Sequence, residues 1–325
     1  MQQTVVRSAF RLRLMRRSVY SWMANTEGTQ LMDVQHFQFE GHRFAYKSFG
    51  EGKRAVVLIH GLLFDQEMHG PLAQTLAAHG NRVVTVDMLG HGKSDAPLDH
   101  WDMQRYAYAV NALLEKLDID EAVVGGTSLG ANIALELSAY FPERVRGLIL
   151  DMPALERAII GGSAVFTPLM LAAKYMTPVA EAGSKVFKLV PKWGLPFAVG
   201  LLVDVLKREP KPTADVLQGI YFGRLAPPRM ERMEIDVPTL VIGHKFDPVH
   251  PFQDAVELAE DMPDATFVEA KSVLELRIMP ARLTKMIVDH VDYCWRPRAV
   301  KPKAPKRIGG KPAAKRSRKP RASAS

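Results

Sequence analysis

The feature that most constrains the fold is a series of short apolar runs, rich in Val, Ile and Leu, that helical patterns separate from one another. A strand without polar alternation is buried on both faces, and helix-linked strands of this kind form parallel sheets. Two earlier runs alternate polar and apolar residues and are typical of a hairpin. The eight predicted strands are Phe37–Glu40, Arg43–Phe49, Ala55–His60, Arg82–Asp87, Ala122–Gly126, Val145–Asp151, Thr239–Gly243 and Ala265–Glu269. The sequence therefore predicts an α/β fold with a mostly parallel sheet that helices cover on both faces.

Segments with helical periodicity lie between the later predicted strands. Apolar residues recur at helical spacing in Tyr106–Leu117 and again in Leu283–Val291. From Pro153 to about Asp236 the alternation stops, and apolar helical pieces with many Met and Pro residues take its place. We predict that residues 153–236 form a helical cap over the carboxyl edge of the sheet, because ligands of open α/β sheets bind there.

The net charge of +8 lies in the two terminal segments. Residues 296–325 contain 12 Lys and Arg, residues 1–20 contain 5 Arg, and neither segment contains an acidic residue. The rest of the chain is acidic, so the positive net charge is no evidence that the folded body binds nucleic acid. The predicted organisation is a basic segment at 1–24, a core at 25–152 and 237–295, a cap at 153–236 and a basic tail at 296–325.

The terminal segments carry different patterns. Residues 296–325 have few large apolar residues and are predicted to be disordered, with weak contact to anionic partners at most. Residues 1–24 suit an amphipathic surface helix, a targeting peptide or a helix packed on the domain. No apolar run approaches the roughly 18 residues that cross a bilayer, and Cys294, the single cysteine, cannot form an internal disulfide. We expect a cytoplasmic protein without a transmembrane segment, with peripheral membrane association through 1–24 left open.

The strongest chemical signal is a strand that runs into Gly126-Thr127-Ser128-Leu129-Gly130 and then into a helix. A serine at a sharp strand-to-helix turn holds its hydroxyl out above the sheet, and the positions two residues away on either side must be small. The amino terminus of the helix adds positive potential beside a developing oxyanion. Ser128 is therefore predicted to be a nucleophile, the alternative being an ordinary turn.

Two further turns follow strands at the same edge of the sheet. His60-Gly61 ends a strand, so the amide of Leu62 could join the amide of Leu129 in an oxyanion hole. We expect His60 to shape this loop rather than to transfer protons. The glycine-containing turn at residues 87–95 is predicted to be structural.

Four motifs in this order resemble those of the α/β-hydrolase superfamily. They are His60-Gly61, Gly90-His91-Gly92-Lys93-Ser94-Asp95, Gly126-Thr127-Ser128-Leu129-Gly130, and Pro238-Thr239-Leu240-Val241-Ile242-Gly243 followed by Asp247. The chain is similar to lid-bearing, esterase-like members over about residues 36–295. The resemblance implies that Ser128 is the nucleophile, that Asp247 is the acid of a catalytic triad, and that the amides of Leu62 and Leu129 are the oxyanion donors.

The position of Asp247 also indicates this role without the resemblance. It lies just beyond the strand Thr239–Gly243 in a loop that contains Pro248 and Pro251. A carboxylate there could orient an imidazole and stabilise its cation. Asp151, at the end of the preceding strand, is the alternative acid.

The histidine that the superfamily normally places after the last strand is missing from this sequence. Residues 270–280 contain no histidine, and His290 lies too far along the final helix, on its apolar stripe. Glu275, in the loop without a histidine, is a candidate second acid for orienting an imidazole elsewhere, and the favoured alternative is a carboxylate that is solvated or paired with Arg277.

A base for Ser128 must therefore come from another position, because a serine hydroxyl alone is a poor nucleophile at neutral pH. His250, three residues after Asp247 and at the same edge of the sheet, is the predicted base. His244 and His69 are the alternatives, and the absence of a functional triad is a further one.

These observations together predict a serine hydrolase that acts on carboxylic esters of apolar acyl or aromatic compounds through an acyl-enzyme. The alternative is a catalytically silent relative of the same fold that binds an apolar ligand or a protein partner. A small apolar ester is the expected binding partner. No glycine pattern has the spacing of a phosphate-binding loop, and we expect no nucleotide, flavin or metal cofactor.

Overall fold

The computed structural model describes residues 33–97, 99–159, 161–163, 167–168, 185–186, 216 and 223–297. The predictions for residues 1–24, for most of the cap at 153–236 and for nearly all of the tail at 296–325 lie outside these residues. The described strands are β1 (Gln35–Phe39), β2 (His42–Phe49), β3 (Ala55–Ile59), β4 (Arg82–Val86), β5 (Ala122–Thr127), β6 (Val145–Asp151), β7 (Thr239–His244) and β8 (Ala265–Ala270). Each predicted strand is present, with its ends shifted by at most two residues.

The eight strands form one sheet in the order β1-β2-β4-β3-β5-β6-β7-β8. The pairs β1–β2 and β2–β4 are antiparallel, and every pair from β4 to β8 is parallel. The predicted fold class is therefore confirmed: a hairpin opens the sheet and a mostly parallel region follows it.

Helices lie between the strands of this sheet. They are α1 (Gly70–Ala78), α2 (Met103–Lys116), α3 (Leu129–Tyr140), α4 (Arg229–Arg232), α5 (Phe252–Asp261), α6 (Glu275–Ile278) and α7 (Ala281–Cys294). At the start of α2 the side chain of Asp102 accepts a hydrogen bond from the amide of Arg105, which satisfies one of the amides that a helix leaves unpaired at its amino end. The predicted apolar stripes of α2 and α7 are buried, so tertiary packing stabilises both helices.

The core lies on both faces of the sheet. In β3, Val57 and Ile59 pack on the face that α2 and α3 cover, whereas Val56 and Leu58 pack on the face that α1 and α7 cover. This two-sided burial explains why the central strands lack polar alternation. No helix in the described part of the chain has the length and apolarity needed to cross a membrane.

Parallel strands end at a common edge, and this geometry fixes where the candidate site residues meet. Ser128 follows β5, Asp151 ends β6, Asp247 follows β7, and α6 follows β8. Thr127 lies opposite Asp151 in the sheet register, and Gly243 lies opposite Glu269. The loops after β5, β6, β7 and β8 therefore open side by side at the carboxyl edge of the sheet.

Candidate active site

Ser128 occupies a strained turn between β5 and α3. Its φ of 54° and ψ of −111° lie outside the regions that L-residues ordinarily adopt. A Cβ on Gly126 would lie 2.3 Å from the carbonyl carbon of Gly130, and a Cβ on Gly130 would lie 2.1 Å from the carbonyl oxygen of Ile59. Both glycines are therefore required by close backbone approach, which is the reason for the small residues on either side of Ser128.

The hydroxyl of Ser128 lies within hydrogen-bond distance of an imidazole. Ser128 Oγ is 2.7 Å from Nε2 of His250, and Nδ1 of His250 is 2.9 Å from Oδ2 of Asp247. A carboxylate can only accept, so Nδ1 carries the proton and Nε2 presents its lone pair to the serine hydroxyl. The structure thus brings together the predicted nucleophile, base and acid in the order that proton abstraction from a serine requires.

Asp247 and His250 belong to one tight loop between β7 and α5. Oδ1 of Asp247 accepts hydrogen bonds from the amides of Val249, at 2.8 Å, and His250, at 3.0 Å. Burial acts to raise the pKa of Asp247, but the hydrogen bonds and charge of His250 and the two amides outweigh it and lower the pKa. One carboxylate therefore fixes the loop with one oxygen and the imidazole with the other.

The two predicted oxyanion donors flank the serine. Leu129 is the first residue of α3, and Leu62 lies in the loop after β3; both line the same cavity as Ser128. Within the described residues, neither the Leu62 amide nor the Leu129 amide donates to another protein atom. Two unpaired amides beside a nucleophile are suited to stabilise negative charge on a carbonyl oxygen.

The alternative acid and the alternative base pair with each other rather than with Ser128. Nε2 of His244 lies 2.8 Å from Oδ1 of Asp151, and both side chains are almost fully buried. The second nitrogen of His244, Nδ1, is 3.1 Å from the carbonyl oxygen of Ser272. This second histidine–aspartate pair lies behind the turn that carries Ser128, because the amide of Ser128 donates to the carbonyl of Asp151 at 2.8 Å.

Arg277 completes the environment of this second pair, and the sequence alone does not indicate that it is a site residue. Its Nη2 donates to Oγ1 of Thr127 at 2.9 Å and lies 3.6 Å from Oδ2 of Asp151. Thr127 in turn donates to the same Asp151 oxygen at 2.9 Å. The available signal was a basic residue in the segment after β8, within residues 270–280, where no histidine occurs.

Two other histidines face backbone carbonyl oxygens. His69 Nε2 donates to the carbonyl of Ile59 at 3.0 Å. His290 Nε2 lies 2.9 Å from the carbonyl of Leu148. Burial first, and then the charge of Arg277, lower the pKa of His69 to about 3, so this ring is neutral at pH 7.

Glu275 is bound within its own segment. It pairs with Arg282 at 2.7 Å and accepts from the amide of Lys271. The hydrogen bonds from Arg282 lower the pKa of Glu275 to about 2 although burial opposes them.

His60 and Asp87 hold backbone together at the same edge. His60 Nε2 accepts from the amide of Met88 at 2.9 Å. Asp87 accepts from the amides of Gln66, at 2.7 Å, and Lys93, at 3.0 Å. Burial raises the pKa of Asp87 to about 7 against these hydrogen bonds. Both side chains therefore stabilise turns.

A cavity of about 150 Å3 opens at Ser128 and His250. Its other walls are mostly apolar and include Met103, Ala154, Ala158, Ile159, Leu225 and Val249. No Lys, Arg, Asp or Glu occurs among the described residues that line it. Such a cavity favours an uncharged, apolar group beside the serine.

Asn132 connects the wall of this cavity to the helix that follows Ser128. Its Nδ2 donates to the carbonyls of Ala154, at 2.6 Å, and Leu225, at 2.7 Å, and its Oδ1 accepts from the amide of Ala154 at 3.0 Å. Ala154 lies at the start of the predicted cap segment and Leu225 near its end. One fully buried side chain therefore ties both ends of that segment to α3.

No group of three or more His, Cys, Asp or Glu residues in the described ranges has a geometry that could hold a metal ion. The contacts at Ser128 run from its hydroxyl to His250 and from His250 to Asp247. The chemistry that this arrangement can perform is nucleophilic attack by a serine with histidine assistance.

Comparison with known proteins gives partial sequence matches of moderate identity. An uncharacterized protein of Mycobacterium bovis is 35% identical over 121 residues, which cover 36% of this chain and 34% of that protein. The chain thus spans about a third of the length of the curated relatives that it matches first. The 3-oxoadipate enol-lactonase 2 of Acinetobacter baylyi is 26% identical over 236 residues, covering 68% of this chain and 82% of the relative.

Solved structures match over a larger share of the chain. The match to the enol-lactonase of Burkholderia xenovorans has a TM-score of 0.66 at 24% identity and covers 79% of this chain and all of the enol-lactonase chain. The match to the esterase of Exiguobacterium antarcticum has a TM-score of 0.64 at 21% identity and covers 79% of this chain and 99% of the esterase chain. These likenesses show the fold. The model of the alpha/beta hydrolase fold family matches residues 54–272, more than half of the sequence. The chain therefore belongs to the α/β hydrolase fold family.

Proposed function

We propose that the protein is a serine hydrolase of carboxylic esters with apolar acyl or aromatic groups, and that it works through an acyl-enzyme. The observation that carries the proposal is the pair of contacts at His250: 2.7 Å to Ser128 Oγ and 2.9 Å to Asp247. The relatives named enol-lactonase and esterase support a substrate of the ester type.

Acylation begins with transfer of the Ser128 hydroxyl proton to Nε2 of His250. The serine oxygen forms a bond to the carbonyl carbon, and the carbonyl π electrons move to the oxygen, where the amides of Leu62 and Leu129 stabilise them. Asp247 stabilises the imidazolium that results. When the carbonyl re-forms, the bond to the alcohol oxygen breaks and His250 returns the proton to the leaving alcohol.

Deacylation repeats these steps with water as the nucleophile. His250 removes a proton from water, the hydroxide oxygen bonds to the acyl carbon, and the bond to Ser128 Oγ breaks. The proton passes from His250 to the serine oxygen, and the carboxylic acid leaves. Each proton is returned within the cycle, so no co-reactant other than water is needed.

The cavity supports the class of substrate. Its apolar walls and its volume of about 150 Å3 fit an uncharged acyl or aromatic group. A substrate with a carboxylate on its acyl group finds no cationic Lys or Arg among the described lining residues. We therefore propose that hydrolysis favours neutral esters over esters of dicarboxylic acids.

Covalent labelling with a fluorophosphonate probe tests the nucleophile. The native protein should be labelled at one site, and Ser128→Ala should abolish labelling because the attacking oxygen is gone. Ser138→Ala is the matched control: Ser138 is a buried serine on the same helix, and its hydroxyl donates to the carbonyl of Leu135 at 2.8 Å. This variant should be labelled like the native protein.

Absence of labelling in well-folded native protein would reject the hydrolase and favour a silent member of the fold that binds an apolar ligand. Labelling that persists in Ser128→Ala would reject Ser128 as the nucleophile. Both results are independent of which ester is the natural substrate, because the probe reports serine reactivity alone.

A further inference from the structure

A buried group of four side chains lies directly behind Ser128 and takes no part in the proton transfers described above. We call Thr127, Asp151, His244 and Arg277 the elbow cluster. Its hydrogen bonds run from Arg277 to Thr127, from Thr127 to Asp151, and from His244 to Asp151, with lengths of 2.8 to 2.9 Å. The cluster contacts Ser128 through two backbone links at its amide, since Thr127 precedes the serine and the carbonyl of Asp151 accepts its amide proton.

The hydrogen-bond pattern gives His244 a positive charge. One ring nitrogen faces a carboxylate oxygen of Asp151 and the other faces the carbonyl oxygen of Ser272. Both partners can only accept, so both ring nitrogens carry protons. Burial acts to lower the pKa of His244, but the hydrogen bond and charge of Asp151 outweigh it and raise the pKa. His244 therefore neutralises Asp151 within the cluster.

Arg277 then adds a positive charge that no further carboxylate balances. Asp151 is the one carboxylate within 4 Å of its guanidinium among the described residues, and Thr127, to which it donates, is neutral. His69, another ionisable group whose pKa responds to Arg277, is neutral as well. The Arg277 side chain is only 12% exposed, so water screens its charge weakly.

We propose that Arg277 is a positioning residue whose contacts with Thr127 and Asp151 hold a net positive charge behind Ser128. This charge stabilises the oxyanion formed during acyl transfer. The inference rests on the proposed function. Negative charge appears on the substrate oxygen only as the serine attacks, so a fixed cation that acts more strongly on this oxygen than on the His250 imidazolium lowers the barrier without changing the affinity for the ester. The expected signature is a change in kcat with KM unchanged.

Three variants of Arg277 separate charge from shape. Arg277→Gln keeps a donor for Thr127 and loses the charge, Arg277→Met loses both, and Arg277→Lys keeps the charge. We expect kcat per active site, counted by fluorophosphonate titration, to fall about tenfold in the Gln and Met variants. In the Lys variant kcat should stay within about twofold of the native value, and KM should be unchanged in all three.

Arg146→Gln is the matched control. Arg146 lies near the other end of β6, is 17% exposed and pairs with Glu121 at 2.8 Å. Its loss should lower the melting temperature without changing kcat per titrated site. Such a pattern is what a purely structural arginine produces.

Two outcomes would overturn the inference: native kcat per site in Arg277→Gln, or a Lys variant as slow as the Met variant. The first would mean that the charge has no effect, and the second that only the shape of the guanidinium matters. Failure of the proposed function is a separate result, because it would appear as loss of labelling or turnover in the native protein before any Arg277 variant is made.

Discussion

Two histidine–aspartate pairs lie at the carboxyl edge of the sheet, one formed by the last residues of β6 and β7 and the other within the loop after β7. Their hydrogen bonds have nearly the same length. His250 is 2.9 Å from Asp247, and His244 is 2.8 Å from Asp151. The pairs differ in what the second ring nitrogen faces. For His250 it faces the hydroxyl of Ser128, whereas for His244 it faces the carbonyl of Ser272.

This difference decides which imidazole can act as a base. A hydroxyl can donate, so His250 keeps a free lone pair on Nε2 and can accept the serine proton. A carbonyl can only accept, so His244 carries two protons and has no lone pair for proton transfer. Two pairs with equal hydrogen bonds are thus suited to opposite tasks, one to moving a proton and the other to holding a fixed charge.

The two histidines also differ in how far their side chains are exposed to solvent. The His250 side chain is 14% exposed, at the wall of the cavity, and the His244 side chain is 1% exposed, beneath it. A group that exchanges protons with substrate needs access to the cavity, and a fixed ion pair keeps more of its field when water is excluded. The contrast also predicts which substitutions affect turnover and which affect stability.

The largest difference should appear when the two histidines are replaced by the same residue. His250→Gln removes the base, and we expect kcat to fall roughly 10⁴- to 10⁶-fold. His244→Gln removes one buried positive charge behind Ser128, and kcat should fall about tenfold. Steady-state ester hydrolysis, normalised to folded protein, measures both. Equal losses in the two variants would mean that the pairs do not have separate roles.

The aspartates should separate turnover from stability. Asp247→Asn offers an amide proton to Nδ1 of His250 and thereby forces the wrong tautomer, so kcat should fall roughly 10³- to 10⁴-fold. Asp151→Asn leaves His244 and Arg277 buried without a counter-charge, and the free energy of unfolding should fall by about 3–5 kcal/mol.

Denaturant unfolding and turnover, measured on both aspartate variants, complete this test. The Asn variant at Asp247 should unfold at close to the native denaturant concentration, since its side-chain oxygen can still accept from the amides of Val249 and His250. The comparison would fail if Asp151→Asn had native stability, or if Asp247→Asn kept native turnover.

Much of the scaffold could be predicted from the sequence because its signals are local. Strands such as Ala55–Ile59 are apolar on both faces, and the glycines on either side of Ser128 lie within two residues of it. His250 could be proposed because Asp247 is only three residues away and both follow the same strand. Local spacing of this kind is visible without knowledge of the three-dimensional structure.

The elbow cluster could not be predicted in the same way. Arg277 meets Thr127 across 150 positions of the chain, and His244 meets Asp151 across 93. The sequence offered Asp151 and His244 as substitutes for the acid and the base, whereas their side chains pair with each other. Asn132 is a similar case, because its contact with Leu225 spans 93 residues. Such pairings depend on sheet register and loop path, which residue spacing alone does not determine.

The smallest expected effect is the dependence of stability on pH. Burial lowers the folded-state pKa of His244, but Asp151 and, more weakly, the Ser272 carbonyl and Asp247 outweigh burial and raise it. The stabilising effect of His244 is therefore complete below the unfolded value of about 6.5 and is lost as pH rises through the folded value. Burial raises the folded-state pKa of Asp87 and of Glu136 to about 7. Their contribution to the free energy of unfolding therefore falls as pH rises from their ordinary pKa values to about 7. Above about pH 6.5, His244 should therefore contribute to the decline in stability.

Urea unfolding of the native protein and of two histidine variants between pH 7 and pH 9 measures how much His244 contributes to this decline in the free energy of unfolding. The free energy of unfolding of the native protein should fall by at most about 1.4 kcal/mol per pH unit, the limit for one proton. His244→Gln should flatten the slope, whereas His290→Gln, which removes a histidine bound to the carbonyl of Leu148, should keep it. A native slope that survives in His244→Gln would show that His244 is not the fixed cation, and the distinction between the two pairs would then rest on Asp151 and Arg277 alone.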